Sequence, residues 1–255
     1  MQFHKIFPNV AMDYFGYVGP AATMREVCEC IAIDTDHDGV GFRRMITELG
    51  ATWMMGQVVL EAFHPIRSAM EVVIETLPYE KMGVAVMRRA EIRHEGELMF
   101  RQTNKTLPVS FARRKVLDPQ TYAYMWETPA GEPGEDFGWV NLPEDLELVE
   151  RYPVKHCDCD TNGHLTAFRY VDLICELSGY WGPELHQIRR LQVDFRKECL
   201  PGETIDLYHG VRDGIHYVAG YHADGRPSFH ASLELAEETC PRVADELNFV
   251  MPTLR

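Results

Sequence analysis

The chain reads Val154-Lys-His-Cys-Asp-Cys-Asp160-Thr-Asn162-Gly-His164-Leu-Thr166, a polar loop that runs directly into an apolar helix pattern. A carboxylate, an amide and an imidazole therefore fall within five residues, just before a predicted helix N-terminus. Unpaired N–H groups and the positive end of the helix dipole favour developing negative charge at such a terminus. General acid–base groups beside these donors indicate a site for acyl transfer.

The residues around this loop predict one helix and five strands. Apolar side chains at helical spacing predict a helix over residues 166–179. Runs of β-branched and aromatic residues predict strands over 146–155, 188–199, 203–211, 215–223 and 226–236. Pro-Gly and Asp-Gly pairs separate the later strands, where turns are expected. The predicted order is strand, loop, helix and a four-stranded antiparallel meander.

This order resembles the hot-dog fold, in which a long helix lies against a curved antiparallel sheet. The loop resembles the motif of the acyl-ACP thioesterase family, where a D-x-N-x-H run opens the second hot-dog helix. A second match lies further along the chain, where Phe195-Arg-Lys-Glu198-Cys199 resembles the family's R-x-E-C strand end. The resemblance therefore rests on two separate motifs.

The resemblance implies an active site. The family's catalytic positions fall on Asp160, Asn162, His164 and Glu198, and Cys199 takes the adjacent place, where family members tolerate loss of the thiol. Thr166 departs from the family, because plant members carry a second Asn there. We further predict substrate contacts at Gly163, Thr166, Trp53, Arg113, Arg114 and Lys115.

The expected chemistry is hydrolysis of a thioester. Backbone N–H groups of residues 163–166 would stabilise the tetrahedral oxyanion. His164 and Glu198 would orient and deprotonate water, Asn162 would position substrate or water, and Asp160 would hold the array in register. A covalent route through Asp160 or Cys199 stays open, although the sequence supplies no evident local base for Cys199.

Family members carry two hot-dog units, and the N-terminal half shows signs of the same plan. Residues 19–27 align without a gap with residues 163–171, and Gln57 aligns with Gln192. The N-terminal half then predicts a strand over 3–15 and a helix over 22–35. Four more strands are predicted over 52–63, 69–76, 83–94 and 97–107. The fold class is α+β, with tandem hot-dog domains.

The same alignment assigns different roles to the two units. It places Gly16, Val18, Pro20 and Phe63 opposite the four catalytic positions, so that the first unit would retain none of the polar groups. We therefore predict a structural N-terminal domain with the acyl-chain pocket, a linker, a catalytic C-terminal domain and a tail. Their bounds are 1–130, 131–145, 146–240 and 241–255.

Composition limits the classes of function. The chain has 255 residues, 45% hydrophobic content and a formal net charge of −14. Two domains with ordinary cores fit this length, and the acidity argues against nucleic-acid binding. No apolar run approaches the roughly 18 residues of a membrane span, and no signal peptide is evident, so we expect a cytoplasmic protein. Seven irregularly spaced cysteines favour a reducing compartment.

Two stretches resemble metal sites only weakly. Cys157 and Cys159 lie near His156 and His164, yet no second Cys or His pair follows at zinc-finger spacing. The run from Asp34 to Gly39 lacks the glutamate that closes a calcium loop. We therefore expect neither a metal nor a cofactor.

The expected partner is acyl carrier protein bearing a fatty acyl phosphopantetheine thioester, and a homodimer is an arrangement that the sequence leaves open. The net charge opposes encounter with an acidic carrier, so local basic patches must dominate. The candidates are Arg88-Arg89, Arg113 to Lys115 and Arg189-Arg190. The alternatives are an acyl-CoA thioesterase, a hot-dog dehydratase and a non-enzymatic acyl-binding protein.

Overall fold

The strands of both halves join one antiparallel sheet in the computed structural model, which describes residues 1–125, 137–181 and 185–243. The strands are β1 (Gln2–Ile6), β2 (Ala51–Ala62), β3 (Glu71–Met82), β4 (Ala85–His94), β5 (Glu97–Ser110), β6 (Lys115–Val116), β7 (Glu147–Pro153), β8 (Leu185–Phe195), β9 (Thr204–Arg212), β10 (Ile215–His222) and β11 (Pro227–Cys240). The helices are α1 (Pro20–His37), α2 (Phe42–Leu49), α3 (Pro119–Tyr122) and α4 (Ala167–Leu177), with 3₁₀ turns at Asn9–Ala11 and His156–Asp158.

The sheet has the order β1-β3-β4-β5-β2-β8-β11-β10-β9-β7, and β6 pairs with the end of β5. Strands β2 and β8 meet at its centre, in a register that runs from Gln57 opposite Asp194 to Glu61 opposite Arg190. The two long helices, α1 and α4, contact each other and contribute to one continuous apolar core. The predicted α+β class and the hot-dog arrangement are confirmed.

Most predicted elements are close to the observed ones, but several differ. Strand β8 ends at Phe195, so Glu198 and Cys199 lie beyond the strand that was expected to contain them. The first strand ends at Ile6 and a 3₁₀ turn follows, whereas the prediction extended the strand to residue 15. Helices α2 and α3 and the short strand β6 were not predicted, and β3 extends to Met82 instead of ending at residue 76. The predicted domain boundary after residue 130 and most of the predicted tail fall within residues 126–136 and 244–255, which lie outside the described residues.

A buried carboxylate ties the two units and the segment before β7 together. Asp194 is fully buried and accepts hydrogen bonds from Nε2 of Gln57 at 2.7 Å and from the backbone N–H of Val140 at 2.7 Å. Nε2 of Gln192 donates both to Asp194, at 3.3 Å, and to the carbonyl of Gly138, at 2.6 Å. These contacts fasten the chain around residues 138–140 to the centre of the sheet.

Hydrogen bonds correct the predicted alignment of the two units. Oδ1 of Asp160 accepts from the backbone N–H groups two and four residues later, those of Asn162 and His164. Oδ1 of Asp13 accepts from the N–H groups of Phe15 and Tyr17 in the same way. Each aspartate also donates its own N–H to the carbonyl four residues later. Asp13 is therefore the counterpart of Asp160, and the prediction that Gly16 holds this place was wrong by three residues.

The counterpart of Glu198 follows from the same comparison. The N–H of Leu165 donates to the carbonyl of Cys199 at 2.9 Å, as that of Val18 donates to the carbonyl of Ile66 at 2.8 Å. Pro65, rather than the predicted Phe63, therefore corresponds to Glu198.

The first unit thus retains one of the four predicted catalytic residue types, whereas the sequence comparison predicted that it retains none. It keeps an aspartate, and it carries Phe15, Tyr17 and Pro65 where the second unit has the amide, the imidazole and the second carboxylate. Val18 and Pro20, predicted opposite Asn162 and His164, instead correspond to Leu165 and Ala167.

Candidate active site

The loop before α4 is a compact turn organised by Asp160. Its carboxylate accepts the N–H of Asn162 at 2.8 Å and that of His164 at 3.3 Å, which is Asx-turn chemistry. Gly163 has a φ of 77°, in the left-handed region where a Cβ is disfavoured. Thr166 is the N-cap residue of α4. The turn therefore fixes the imidazole of His164 at the start of the helix.

His164 and Glu198 come together although 34 residues separate them in sequence. Nε2 of His164 lies 3.9 Å from Oε2 of Glu198, and the two side chains are 15% and 27% exposed. Arg114, from the loop between β5 and β6, forms an ion pair with Oε1 of Glu198. The site therefore combines groups of the second unit with a guanidinium of the first.

The surroundings favour the neutral form of the His164 imidazole. Burial lowers the pKa of His164, Arg114 acts in the same direction, and Asp160 partly opposes them. A neutral imidazole near pH 7 can accept a proton, as a general base must. Nδ1 of His164 is buried and has no hydrogen-bond partner among the described residues, so the described surroundings do not select a tautomer.

The backbone donors that were predicted to bind the oxyanion are already used. The N–H groups of Gly163 and His164 donate to Asp160, that of Leu165 to the carbonyl of Cys199, and that of Thr166 to the carbonyl of Asp158. These pairings stabilise the turn, so the expectation for residues 163–166 was wrong. Within the described chain, the next N–H groups, those of Ala167 and Phe168, donate to no acceptor.

Asn162 and Asp160 contact each other side by side. Nδ2 of Asn162 donates to Oδ2 of Asp160 at 3.3 Å, and the aspartate lies exposed at the mouth of the turn. This contact orients the amide. The predicted positioning roles of both residues are compatible with the geometry and stay predictions.

Cys199 faces away from solvent into a second polar cluster. Its Sγ is fully buried, 2.9 Å from Oγ of Ser228 and 3.9 Å from Nε2 of His222, whose Nδ1 lies 3.6 Å from Oε2 of Glu203. A nearby base therefore exists, contrary to the sequence interpretation, but it is 23 residues away on β10. Burial, named first among the causes, raises the pKa of the Cys199 thiol, which disfavours the thiolate.

The Cys199 cluster also has the residue types of a metal site. Cys199, Glu203 and His222 lie within ligand distance of one another. However, the two nitrogens of His222 face different partners, the thiol and the carboxylate. A chain of polar contacts from Ser228 through Cys199 and His222 to Glu203 accounts for the positions of these side chains without an ion.

The remaining predicted contacts divide between a cavity and the surface. Trp53 lines a cavity of about 260 Å³ between α1, α2 and the sheet. Arg113 and Lys115 are exposed beside Arg114. Arg88 is only 4% exposed and pairs with Asp34 and Asp38, so its assignment to a carrier-binding surface patch was wrong.

One family model matches the part of the chain that contains these residues. Residues 143–237 match the family model described as the acyl-ACP thioesterase C-terminal domain. The C-terminal unit is thus similar to that of acyl-ACP thioesterases. The matched range contains Asp160, His164 and Glu198, and also Cys199. No curated protein sequence matches the chain significantly.

Solved structures of acyl-ACP thioesterases share the fold across nearly the whole chain. An acyl-ACP thioesterase from Bacteroides thetaiotaomicron is 15% identical, with a TM-score of 0.78, over 92% of this chain and 97% of that one. The 12:0-ACP thioesterase from Umbellularia californica is 14% identical, with a TM-score of 0.79, over 92% and 96% of the two chains. Among the described residues, no helix is long and apolar enough to cross a membrane.

Proposed function

We propose that this protein hydrolyses fatty acyl thioesters of acyl carrier protein, with His164 and Glu198 activating the attacking water. The observation that carries the mechanism is the separation of 3.9 Å between Nε2 of His164 and Oε2 of Glu198. Two atoms at this distance can both reach one water at a hydrogen-bond length of about 2.8 Å. The two side chains can therefore hold a single nucleophilic water between them.

The reaction begins when this water attacks the thioester carbonyl. One water proton passes to the neutral imidazole of His164, whose lowered pKa keeps it available as a base. Glu198, held by Arg114, orients the water and stabilises the imidazolium that forms. The C–S bond then breaks, the proton returns to the leaving thiolate, and the products are a free fatty acid and the carrier thiol.

The tetrahedral intermediate carries negative charge on the former carbonyl oxygen. The N–H groups of Ala167 and Phe168 are the proposed donors, because they belong to the first turn of α4 and donate to no described acceptor. The positive end of the helix dipole adds to their effect. Asn162, oriented by Asp160, is proposed to position the thioester.

The carrier is proposed to dock beside the loop between β5 and β6. Arg114 reaches the catalytic carboxylate from this loop, so its exposed neighbours Arg113 and Lys115 lie at the rim of the site. Their charge complements a phosphopantetheine phosphate and an acidic carrier helix, despite the net charge of −14. The proposal gives the enzyme a cytoplasmic role in fatty acid biosynthesis.

The test is hydrolysis of matched acyl-ACP and acyl-CoA substrates by the wild type and by a double variant, Arg113→Glu with Lys115→Glu. We expect faster turnover of acyl-ACP, and a loss of kcat/KM in the double variant that is larger for acyl-ACP and diminishes with salt. Equal values of kcat/KM for acyl-CoA and acyl-ACP would contradict the assignment of acyl carrier protein as the carrier. Binding of acyl-ACP without hydrolysis would favour a non-enzymatic acyl-binding protein.

Homodimerisation stays a prediction. Sedimentation velocity would measure whether the protein is a monomer or a dimer.

A further inference from the structure

Glu198 is held by the chain on either side of it and not by a regular element. It lies in the connection between the end of β8, at Phe195, and the start of β9, at Thr204. Backbone groups in such a connection need hydrogen-bond partners outside the strand ladder. The contacts made just before and just after Glu198 therefore decide where its carboxylate lies relative to His164.

Both sides of Glu198 are fastened by backbone hydrogen bonds. The carbonyl of Ser228 accepts the N–H groups of the two residues that precede Glu198, at 2.8 and 3.1 Å. On the other side, the carbonyl of Cys199 accepts the N–H of Leu165 at 2.9 Å. The first contact ties the carboxylate to β11, and the second ties it to the turn that carries His164.

Ser228 is the additional residue of a β-bulge in β11. The pairing of β10 with β11 shifts by one residue there, from Phe229 to Pro227 on β11, so that Ser228 has no opposite residue in β10. Ser228 is also fully buried. Bulges re-aim side chains and are frequent beside active sites.

The hydroxyl of Ser228 joins this bulge to helix α4. Oγ of Ser228 lies 3.2 Å from the hydroxyl oxygen of Tyr170 and 2.9 Å from Sγ of Cys199. Tyr170 is 3% exposed, and its ring packs edge-on against Phe195 and Phe229. Burial raises the pKa of Tyr170, so its hydroxyl keeps its proton and can donate a hydrogen bond.

These contacts connect Glu198 to the helix of His164 along two routes. One route is the backbone hydrogen bond that follows the His164 turn. The other runs from the chain before Glu198 to the carbonyl of Ser228, and from its hydroxyl to Tyr170, the fourth residue of α4. Both routes constrain the separation of 3.9 Å between the imidazole and the carboxylate.

The first unit has the same bulge with an apolar side chain. Met99 of β5 is left out of the pairing with β4, and its carbonyl accepts the N–H groups of Phe63 and His64. Met99 therefore corresponds to Ser228, and it is also buried. The bulge itself thus does not require a hydroxyl.

The other two members of the polar cluster are replaced in the first unit as well. Ile66 takes the place of Cys199, as the matching turn contacts show. By the same alignment, Thr23 takes the place of Tyr170, and its Oγ1 donates to the carbonyl of Gly19 at the start of α1. The unit that lacks the predicted imidazole and second carboxylate therefore also lacks this polar cluster.

We propose that Ser228 is a positioning residue, whose hydroxyl contacts Tyr170 and whose carbonyl holds the chain before Glu198, so that the carboxylate stays within reach of the same water as His164. This inference rests on the proposed function and adds a residue that none of the sequence motifs contains. Ser228 acts through Glu198. The thiol of Cys199 is the weaker partner of the hydroxyl, because thiols are weak donors and acceptors, and its loss leaves the contact with Tyr170 in place.

The test compares kcat and KM of the wild type with those of Ser228→Ala and Tyr170→Phe. Each variant removes one end of the buried hydrogen bond. We expect kcat for acyl-ACP to fall by about tenfold in each, because small displacements of reacting groups are costly, whereas KM stays close to that of the wild type. Tyr170→Phe removes a single oxygen and is the milder change if Ser228→Ala folds poorly.

Two matched controls separate positioning from stability. Ser178→Ala removes a buried hydroxyl that donates to a carbonyl near the end of α4, and Tyr180→Phe removes a buried phenol oxygen that donates to Asp13. Both controls should lower the melting temperature about as much as the target variants and keep the wild-type kcat. Equal losses of kcat in target and control variants would overturn the inference.

The double variant tests whether the two hydroxyls act as one unit. Because Ser228→Ala and Tyr170→Phe break the same hydrogen bond, the double variant should lose no more kcat than the larger single loss. Losses that multiply, to about 10²-fold, would contradict a shared role.

A measurement without turnover keeps the inference separate from the proposed function. The NMR resonances of the imidazole nitrogens of His164 should shift in Ser228→Ala and Tyr170→Phe, and stay at the wild-type positions in both controls. Unchanged resonances in the two target variants would overturn the inference while leaving the thioesterase proposal intact. If no acyl-ACP were hydrolysed, the proposed function would fall, and the imidazole resonances would still decide whether Ser228 positions the pair.

Discussion

Arg114 of the first unit forms an ion pair with Glu198 of the second, which places a cation from the first unit inside the proposed catalytic array. The same cation helps to lower the pKa of His164, behind the larger effect of burial. Arg114 therefore acts on both groups that are proposed to activate water. Its backbone has a φ of 48°, which is uncommon outside glycine and fixes the direction in which the side chain leaves the loop.

The first prediction concerns the pH dependence of kcat/KM. The acid limb of this pH profile, where kcat/KM falls as the pH is lowered, should lie below the ordinary histidine pKa of about 6.5. The reason is that His164 must be neutral to act as the base, and its pKa is lowered. Arg114→Met removes one lowering influence and leaves Glu198 unpaired, and both effects raise the pKa of His164. The acid limb should therefore move to higher pH. The control Arg113→Met removes the neighbouring charge, and a limb that moves equally in both variants would contradict the assignment.

The second prediction concerns the catalytic pair. His164→Ala and Glu198→Gln should each lower kcat by on the order of 10²-fold or more, the usual scale for a lost acid–base group. Their circular dichroism and melting temperatures should stay close to those of the wild type, since both side chains are partly exposed. Turnover near the wild-type rate in either folded variant would exclude that residue from the mechanism.

The third prediction separates Cys199 from catalysis. Cys199→Ala should keep most of its kcat, because the thiol is fully buried and its pKa is raised. In the native protein, a thiol reagent should modify the exposed Cys157 quickly and Cys199 slowly. An acyl group trapped on Cys199, or an inactive but folded alanine variant, would instead establish a nucleophilic cysteine activated by His222.

The fourth prediction concerns the contact between the units. Asp194→Asn replaces one buried acceptor oxygen with a donor, so the N–H of Val140 or Nε2 of Gln57 loses its partner. The free energy of unfolding should fall by about 1–3 kcal/mol in urea denaturation. The matched control is Asp206→Asn, since Asp206 is 31% exposed and pairs with Arg151 at the surface. Equal losses in the two variants would contradict a special role for Asp194.

The fifth prediction concerns chain length. Ile31→Phe reduces the volume of the cavity and should shift relative kcat/KM toward shorter acyl chains, by one power of ten for about two excluded carbons at ~0.8 kcal/mol per CH₂. Val27→Ile is the control, because Val27 is buried in the core and does not line the cavity. A panel of acyl-ACPs provides the measurement. Unchanged preference in folded Ile31→Phe would place the acyl chain elsewhere.

Local sequence signals predicted the C-terminal unit well. The boundaries of α4 and of the meander follow from apolar periodicity and from turn residues, which depend on near neighbours. The Asp160 turn is also local, and its residue types identified it. The contact between His164 and Glu198 came from the resemblance to a family, because no local rule relates two positions 34 residues apart.

The errors came from interactions between distant segments. His222 and Ser228 approach Cys199 only because β10 and β11 pair beside it, and nothing in the sequence near Cys199 indicates them. The alignment of the two units matched identical letters, Gly19 with Gly163, although the true counterpart is the turn glycine Gly16, which shares a positive φ with Gly163. Backbone conformation is shared by the units, whereas residue identity is largely not.

The pairing of β2 with β8 also governs what would happen if the chain were cut between its units. Either half alone would expose a central strand with unpaired backbone groups and apolar side chains such as Val58 or Val193. Such an edge is a template for association with other strands. Separated halves should therefore pair with one another, pair with themselves or aggregate, so that covalent continuity protects this protein against misassembly.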